Sequence, residues 1–165
     1  MDKTERHLRL LTETIEAVNS TLDLEEVLSL VASKVAAALG TDACFVYLYD
    51  ERSNELVLRA TYGTSVEEMT RRPRMRPGEG ITGTAASDRT PIMIPEGAHL
   101  DPRFKQFPNL HEEMYESILA VPITAKERLA GALNVRTLLP RWFTQDEMEL
   151  LEAIAYQVAQ TIEHA

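Results

Sequence analysis

The chain has 165 residues, the size of one ordinary domain, and 44% of them are apolar, which is enough to bury a core and excludes wholesale disorder. Its net charge of −9 argues against a dedicated nucleic-acid binder and against broad attraction to anionic membranes. The sequence has no apolar run long enough to span a membrane and no signal-peptide core at its start, so we expect a cytoplasmic protein that makes no membrane contact.

Two helices are predicted at the start of the chain. The first has an apolar seam that repeats at alternating steps of three and four residues, formed by Leu8, Leu11, Ile15, Val18 and Leu22. Because this seam is wider than one neighbouring helix requires, we expect residues 1–22 to form a signalling helix that pairs with the same seam of a second chain in a homodimer. Residues 23–165 are then the main domain. Asp23 is predicted to cap its first helix, which stops at Gly40.

The middle of the chain predicts an antiparallel sheet. Stretches rich in β-branched and aromatic residues indicate strands at 43–49, 55–62, 117–124 and 129–137, joined in pairs by turns. Residues 91–95 lie between prolines and suit an edge strand. We expect an irregular segment from 64 to 80, a short helix at 81–87, and another helix that starts at Asp101 with Pro102 in its first turn.

The last predicted element is a long helix that opens with a capping box. Thr144 and Glu147 have the spacing in which each side chain bonds the backbone of the other, and Phe143 before the cap can pack on Met148. One apolar stripe then faces the core, formed by Leu151, Ile154, Ala155, Val158 and Ile162.

Alternation along the strands separates two faces of the sheet. The aliphatic face, which we expect to pack against the terminal helices, comprises Cys44, Val46, Leu48, Leu56, Leu58, Ala60, Leu133 and Val135. The other face collects Phe45, Tyr47, Thr61, Asn134 and Arg136. Aromatic walls with a few polar groups predict a small-molecule cavity. The alternative is that residues 64–116 cover this face and fill it with their own side chains.

The chemistry of this second face predicts the charge of the ligand. Phe45, Tyr47 and Tyr115 suit a compact organic body, and Asn134 offers both a donor and an acceptor. A guanidinium at Arg136, which we expect near the mouth, would favour a carboxylate or a phosphate. We therefore expect a small anionic metabolite. The alternative is that Arg136 pairs with an acid of the protein, such as Glu55 or Glu116.

Several short motifs, taken together and in order, resemble the GAF domain family over nearly the whole chain. They are GEGITG at 78–83, DPRF at 101–104, SILAVPI at 117–123, GALNV at 131–135, FTQDE at 143–147 and LLEAIAYQVA at 150–159. Within the family, residues 101–122 are most similar to the sensory domain at the front of the nitrogen-branch phosphotransferase enzyme I. Similar domains precede bacterial transcription regulators and sensor kinases.

This resemblance implies an α+β fold of GAF/PAS-like type, in which a six-stranded antiparallel sheet carries the N- and C-terminal helices on one face. Short helices and loops would cover a pocket on the other face. Carried over position by position, the pocket residues are Phe45, Thr61, Ile81, Thr82, Phe104, Tyr115 and Asn134. The implied function is that of a sensory domain of a bacterial signalling or transcription-regulatory protein, which binds a small molecule and relays through its terminal helices. The alternative is a dimerisation and relay module without a ligand.

Catalysis is not expected, because the sequence offers no nucleophile–base pair and no carboxylate dyad. Gly78 to Gly83 fits the dinucleotide motif G-x-G-x-x-G, but residues 71–77 before it are too rich in arginine and proline to form a buried strand. Reductases of this fold use paired cysteines, and bilin-binding relatives usually use a second cysteine, whereas Cys44 is alone in this chain.

Two further ligand classes are disfavoured. Relatives that bind cyclic nucleotides carry an Asn-Lys pair where this chain has Arg136 and Thr137. His99, His111 and Asp101 have ligating side chains, but histidines in loops are far more often bystanders, so we expect no metal and no cofactor.

Overall fold

The computed structural model describes residues 2–19, 23–63, 73–106 and 114–163, with only the backbone described at 14–19. Its helices are α1 (Lys3–Asn19), α2 (Leu24–Leu39), α3 (Gly80–Asp88) and α4 (Gln145–Glu163). Its strands are β1 (Ala43–Asp50), β2 (Glu55–Tyr62), β3 (Arg74–Met75), β4 (Ile92–Ile94), β5 (Ser117–Ala125) and β6 (Arg128–Thr137). Every predicted strand is present, and so is the short helix α3. None of the helices in these ranges is long and apolar enough to cross a membrane.

The strands form one six-stranded sheet in the order β3-β2-β1-β6-β5-β4, and all the neighbouring pairs are antiparallel. This confirms the predicted α+β class. Strand β4 is at one edge, as its flanking Pro91 and Pro95 indicated. Strand β3 is at the other edge, in a stretch that we expected to be irregular. It pairs Met75 with Leu56 and Arg74 with Val57, too few residues to leave a strand pattern in the sequence.

The helix side of the sheet holds the main core. Helices α2 and α4 pack against Cys44, Val46, Leu133 and Val135, all on the face predicted to meet the terminal helices. Helix α1 joins the same cluster, since its Leu11 is buried and its Leu8 packs against the core. Leu11 is therefore covered by the protein's own core, and Leu8 is covered in part.

The rest of the predicted seam lies outside the described residues. The side chains of Ile15 and Val18, and Leu22 as a whole, lie outside the described part of the chain. Dimerisation through the terminal helices stays a prediction, and so does the division of the chain between residues 22 and 23.

One face assignment in β2 is wrong. A register shift in the β1–β2 ladder pairs Val46 with Ala60 but Tyr47 with Leu58, so Arg59 is an extra residue between the two pairs. Such a bulge reverses the alternation of the residues on one side of it. Ala60 therefore packs with the helix-side core, as predicted, whereas Leu56 and Leu58 pack with Tyr47 on the other face.

The predicted helix ends are present in the structure. Asp23 Oδ1 accepts the backbone N–H of Glu26 at 2.9 Å, and Gly40 closes α2 in the left-handed conformation. Thr144 Oγ1 accepts the N–H of Glu147 at 3.1 Å, while Glu147 Oε1 accepts the N–H of Thr144 at 2.9 Å. The capping box of α4 is thus complete.

The predicted helix at Asp101 does not form. A single 3₁₀ turn at Ala98–Leu100 precedes it, and the chain then turns at residues 101–103. Asp101 Oδ1 accepts both the backbone N–H of Arg103 at 2.8 Å and the side-chain Nε–H of the same residue at 2.9 Å. A carboxylate that bonds the backbone two residues later stabilises a turn in place of a helix.

Candidate functional site

A small cavity lies on the face of the sheet opposite the terminal helices. It is enclosed by the start of α3, the covering segment (residues 98–105), and the adjacent ends of β5 and β6. Its lining residues are Met75, Gly80, Ile81, Thr82, Ala98, Phe104, Lys105, Tyr115, Ser117, Ile118 and Arg136. The centre of a water molecule has about 20 Å³ in which to move. That is room for only one or two waters, so a metabolite requires the cavity to widen.

Arg136 forms the charged part of the cavity wall. Its side chain is on β6, and only 3% of the residue is exposed, so it is buried and not near the mouth as we expected. The guanidinium carbon lies 4.4 Å from the ring centre of Phe45 and 6.0 Å from that of Tyr115. Aromatic faces at these distances stabilise a cation and hold its plane in one orientation.

A chain of hydrogen bonds connects Arg136 to α3. Arg136 Nε donates to Asn134 Oδ1 at 3.0 Å, and Asn134 Nδ2 donates to Thr82 Oγ1 at 2.9 Å. Asn134 is fully buried, and its amide uses its acceptor toward the strand and a donor toward the helix. The guanidinium of Arg136 is therefore connected to the first turn of α3 through two hydrogen bonds.

The glycine-rich turn before α3 places that helix against the sheet. Gly78 N–H donates to Gly83 O at 2.7 Å, and a Cβ at Gly83 would lie 2.8 Å from the carbonyl oxygen of Arg76. Glycine is therefore required for the close approach of these two backbone segments. The strand that precedes the motif is β3, which is two residues long and antiparallel to β2. It is not the buried parallel strand that a dinucleotide site needs.

An ion pair between Glu79 and Lys105 lies beside the cavity. Glu79 precedes α3, and its carboxylate accepts the backbone N–H of Arg76 at 2.8 Å through one oxygen and the ammonium of Lys105 through the other. The hydrogen bond from Lys105, and secondarily the one from Arg76, hold the pKa of Glu79 below its ordinary value. The covering segment is thus attached to the turn that begins α3.

The structure brings most of the predicted site residues together. Five of them line the cavity: Ile81, Thr82, Phe104, Tyr115 and Arg136. Asn134 and Phe45 lie directly behind these and orient Arg136. Tyr47 is buried further along the same face, and Thr61 pairs with Phe45 on that face without lining the cavity. Whether any of them binds a ligand stays a prediction.

Sequence reasoning missed part of the lining. Lys105 follows Phe104 in the covering segment and carries the second positive charge at the cavity. Ile118 shares a face with Arg136 because the two are paired across β5 and β6. The strand SILAVPI is apolar at almost every position, so its sequence gives no alternation from which the cavity side could be read.

The acids proposed as alternative partners of Arg136 make other contacts. Glu55 forms an ion pair with Arg74 at 3.1 Å, on the edge strand β3. Glu116 Oε1 accepts the backbone N–H of Gly97 at 3.1 Å.

Metal and thiol chemistry find no support among the described residues. No three His, Cys, Asp or Glu side chains within them converge on a common point, and His111 of the proposed trio lies outside the described ranges. Cys44 is fully buried on the helix side of the sheet, and burial raises the pKa of its thiol far above the usual range. A thiol in that state is a core side chain.

The six-stranded sheet, its helical layer and the covered cavity together define an α+β domain of the GAF/PAS-like class. The model of the GAF domain family matches residues 21–163. This match shows that the chain belongs to the GAF domain family.

The chain is similar to parts of longer bacterial proteins. It is 31% identical over 157 residues to the Escherichia coli protein named phosphoenolpyruvate-dependent phosphotransferase system, covering 92% of this chain and 20% of that one. It is 31% identical over 169 residues to the Nif-specific regulatory protein of Herbaspirillum seropedicae, covering 98% of this chain and 31% of that one. This sequence therefore spans less than a third of either relative.

A solved structure shares both fold and sequence with this chain. The GAF domain of a phosphoenolpyruvate-protein phosphotransferase from Coxiella burnetii superposes with a TM-score of 0.89 at 31% identity, over 99% of this chain and 94% of that one. The predicted membership of the GAF family is confirmed, and the chain is a regulatory domain of the GAF type.

Proposed function

We propose that this domain is a ligand-responsive sensor, which binds a small anionic metabolite in the cavity under α3 and the covering segment. The observation that supports this most directly is Arg136, a guanidinium only 3% exposed in the cavity wall. A carboxylate or phosphate inside the cavity would accept a charge-assisted hydrogen bond from this guanidinium in a site shielded from water.

The arrangement of β6 offers a route from the cavity to the terminal helices. Arg136 lines the cavity and Asn134 lies behind it on the same face of the sheet, while the neighbouring Leu133 and Val135 pack in the core that holds α2 and α4. Because successive side chains of a strand point to opposite faces, a shift of β6 on ligand binding acts on both layers. We infer that this strand relays the signal to the terminal helices.

A second candidate function is a dimerisation and relay module without a ligand. The observation that favours it is the small size of the cavity, about 20 Å³ for the centre of a water molecule. Native mass spectrometry of the purified protein, before and after mild denaturation, separates the two functions. A small molecule released on denaturation supports the sensor.

The test of the proposed ligand class is a thermal-shift screen of metabolites against wild type, Arg136→Gln and Arg59→Gln. Arg59 pairs with Glu25 of α2 on the opposite side of the sheet, so its substitution is a matched loss of one arginine. Anionic compounds should stabilise wild type and Arg59→Gln but not Arg136→Gln. Should Arg136→Gln fail to fold, Arg136→Lys keeps the charge and should retain weakened binding. Stabilisation by neutral compounds only would contradict the proposal.

The remaining parts of the proposal concern catalysis, which the cavity residues address, and the parent protein, which the relatives suggest. The domain performs no chemistry of its own, since the described cavity residues include no nucleophile beside a base. It works in the cytoplasm as the sensory part of a phosphotransferase or of a transcription regulator, the kinds of protein named among its relatives.

A further inference from the structure

The ion pair between Glu79 and Lys105 bridges two segments that both border the cavity. Lys105 lines the cavity from the covering segment, and Glu79 immediately precedes Gly80 and Ile81, which line it from α3. The two side chains are 35% and 47% exposed, for Glu79 and Lys105 respectively, so they lie at the rim and not in the core. Their contact spans 26 residues of sequence and connects two walls that also meet through the apolar side chains of Ile81, Ala98 and Phe104.

We propose that this ion pair is a latch, and that Lys105 leaves Glu79 for the anionic group of the ligand when the cavity opens. The inference rests on the proposed function for the charge of the ligand. It adds Lys105 as a second anion-binding residue beside Arg136, and it makes Glu79 an internal competitor of the ligand.

The geometry indicates which partner moves. Glu79 is held by the N–H of Arg76 at 2.8 Å, within the tight turn in which Gly78 N–H bonds Gly83 O. Lys105 is on the end of a flexible four-carbon stem in a segment without regular structure. Because that stem can rotate, the ammonium can reach the cavity that Lys105 lines, whereas the carboxylate of Glu79 stays with the turn.

The first experiment measures opening without a ligand. Amide hydrogen exchange of α3 and of the covering segment is compared among wild type, Glu79→Gln, Lys105→Met and Glu25→Gln. Gln at position 79 keeps an oxygen for the N–H of Arg76, so the turn is preserved. Glu25 pairs with Arg59 at similar exposure on the helix side, which makes Glu25→Gln the matched control. Exchange should quicken about two- to five-fold in both latch variants and not in the control.

The second experiment uses inorganic phosphate as the anion probe, titrated at constant ionic strength and followed by amide chemical shifts of β6 and α3. Glu79→Gln should bind phosphate about two- to five-fold more tightly than wild type, because a competitor is removed and the open state is more populated. Lys105→Met should bind it about three-fold or more weakly, because the lost charged hydrogen bond outweighs the easier opening. A purely structural ion pair would change both variants in the same direction.

The outcomes separate the latch from the proposed function. If the exchange rates of both latch variants equal that of Glu25→Gln, the latch is overturned, regardless of the phosphate affinities. If exchange is quicker but Glu79→Gln and Lys105→Met bind phosphate with equal affinity, the proposal that Lys105 leaves Glu79 for the anion is overturned. Phosphate shifts that persist unchanged in Arg136→Gln would instead contradict the proposed site for the anion.

Discussion

Arg136 and Asn134 are two residues apart on β6, and the guanidinium Nε donates to the amide Oδ1 at 3.0 Å. Residues two apart on a strand share one face, so this contact keeps both side chains on the cavity side. Since Asn134 also donates to Thr82 of α3 at 2.9 Å, the amide has a structural function as well as its predicted place near a ligand. Substitution of Asn134 should therefore lower the free energy of unfolding even when no ligand is present.

The bond between Asn134 and Thr82 is testable by a double-mutant cycle. Thr82→Val and Asn134→Ala should each lower the free energy of unfolding by about 1–3 kcal/mol, because each leaves a buried polar partner unsatisfied. The coupling energy should be about 0.5–1.5 kcal/mol, measured by urea denaturation. Asn134 and Thr144 have separate hydrogen-bond partners, so this pair serves as the control and should couple by less than about 0.5 kcal/mol. An equally small coupling for Thr82 and Asn134 would contradict the contact.

Thr144 caps α4, and we expect it to make no contact with a ligand. Its hydroxyl accepts the N–H of Glu147 at 3.1 Å, and it is absent from the cavity lining. Thr144→Ala should therefore lower stability by about 0.5–2 kcal/mol, while Thr144→Ser should stay close to wild type. Thermal denaturation measures the change. A loss of ligand response in Thr144→Ala at an unchanged melting temperature would show that the residue acts elsewhere.

The strands were predictable from sequence where alternation is regular, as in β1 and β6. Cys44, Val46 and Leu133 face the helices, and Phe45 and Asn134 face the cavity side, as predicted. The face prediction for β2 is wrong beyond the bulge, because the extra residue Arg59 reverses the faces of Leu56 and Leu58. The amino-acid composition of the strand gives no sign of this extra residue. Periodicity predicts faces only within an uninterrupted ladder.

The sequence predicted which face of the sheet carries the cavity, but it did not predict the volume of the cavity. The aromatic and polar face and the family resemblance both indicated it, and five of the predicted residues line it. Its small volume, and the ion pair of Glu79 with Lys105, depend on how two segments 26 residues apart in sequence meet. Such tertiary contacts have no local signature, and for the same reason Arg136 proved to be buried and not near the mouth.

The turn at Asp101 should be sensitive to acid. The side-chain hydrogen bond from Arg103 is the main reason that the pKa of Asp101 lies below its ordinary value of 3.8. A carboxyl whose folded pKa is lowered contributes stability in full above the unfolded pKa and loses it as the pH falls through the folded pKa. Wild type should therefore melt above Asp101→Asn at neutral pH, and the gap should close below about pH 4.

The measurement is the melting temperature of both proteins from pH 7 down to about pH 3. Glu25→Gln, which removes a different surface carboxylate, gives the background trend. A gap between wild type and Asp101→Asn that stays constant across the whole range would mean that the charge of Asp101 does not stabilise the turn.

The last prediction concerns dimerisation through the terminal helices. Leu11 is buried in the protein's own core, so a charge at this position should unfold the domain and would say nothing about a partner. Leu10 of α1 and Tyr156 of α4 are 64% and 60% exposed, so among the described side chains of these two helices they are the large apolar ones that a second chain can cover. We expect Leu10→Glu with Tyr156→Glu to give a folded monomer.

Burial of two carboxylates at an apolar interface should weaken association by about ten-fold or more, which corresponds to at least ~1.4 kcal/mol. Analytical ultracentrifugation measures the association, and circular dichroism verifies that the variant is folded. Trp142→Glu is the control, because Trp142 is 74% exposed in the loop before α4 and lies outside both helices, so this variant should sediment like wild type. A wild-type domain that is already monomeric at high concentration would refute dimerisation by this domain. Loss of the dimer only in Trp142→Glu would show that the interface includes that loop in place of the terminal helices.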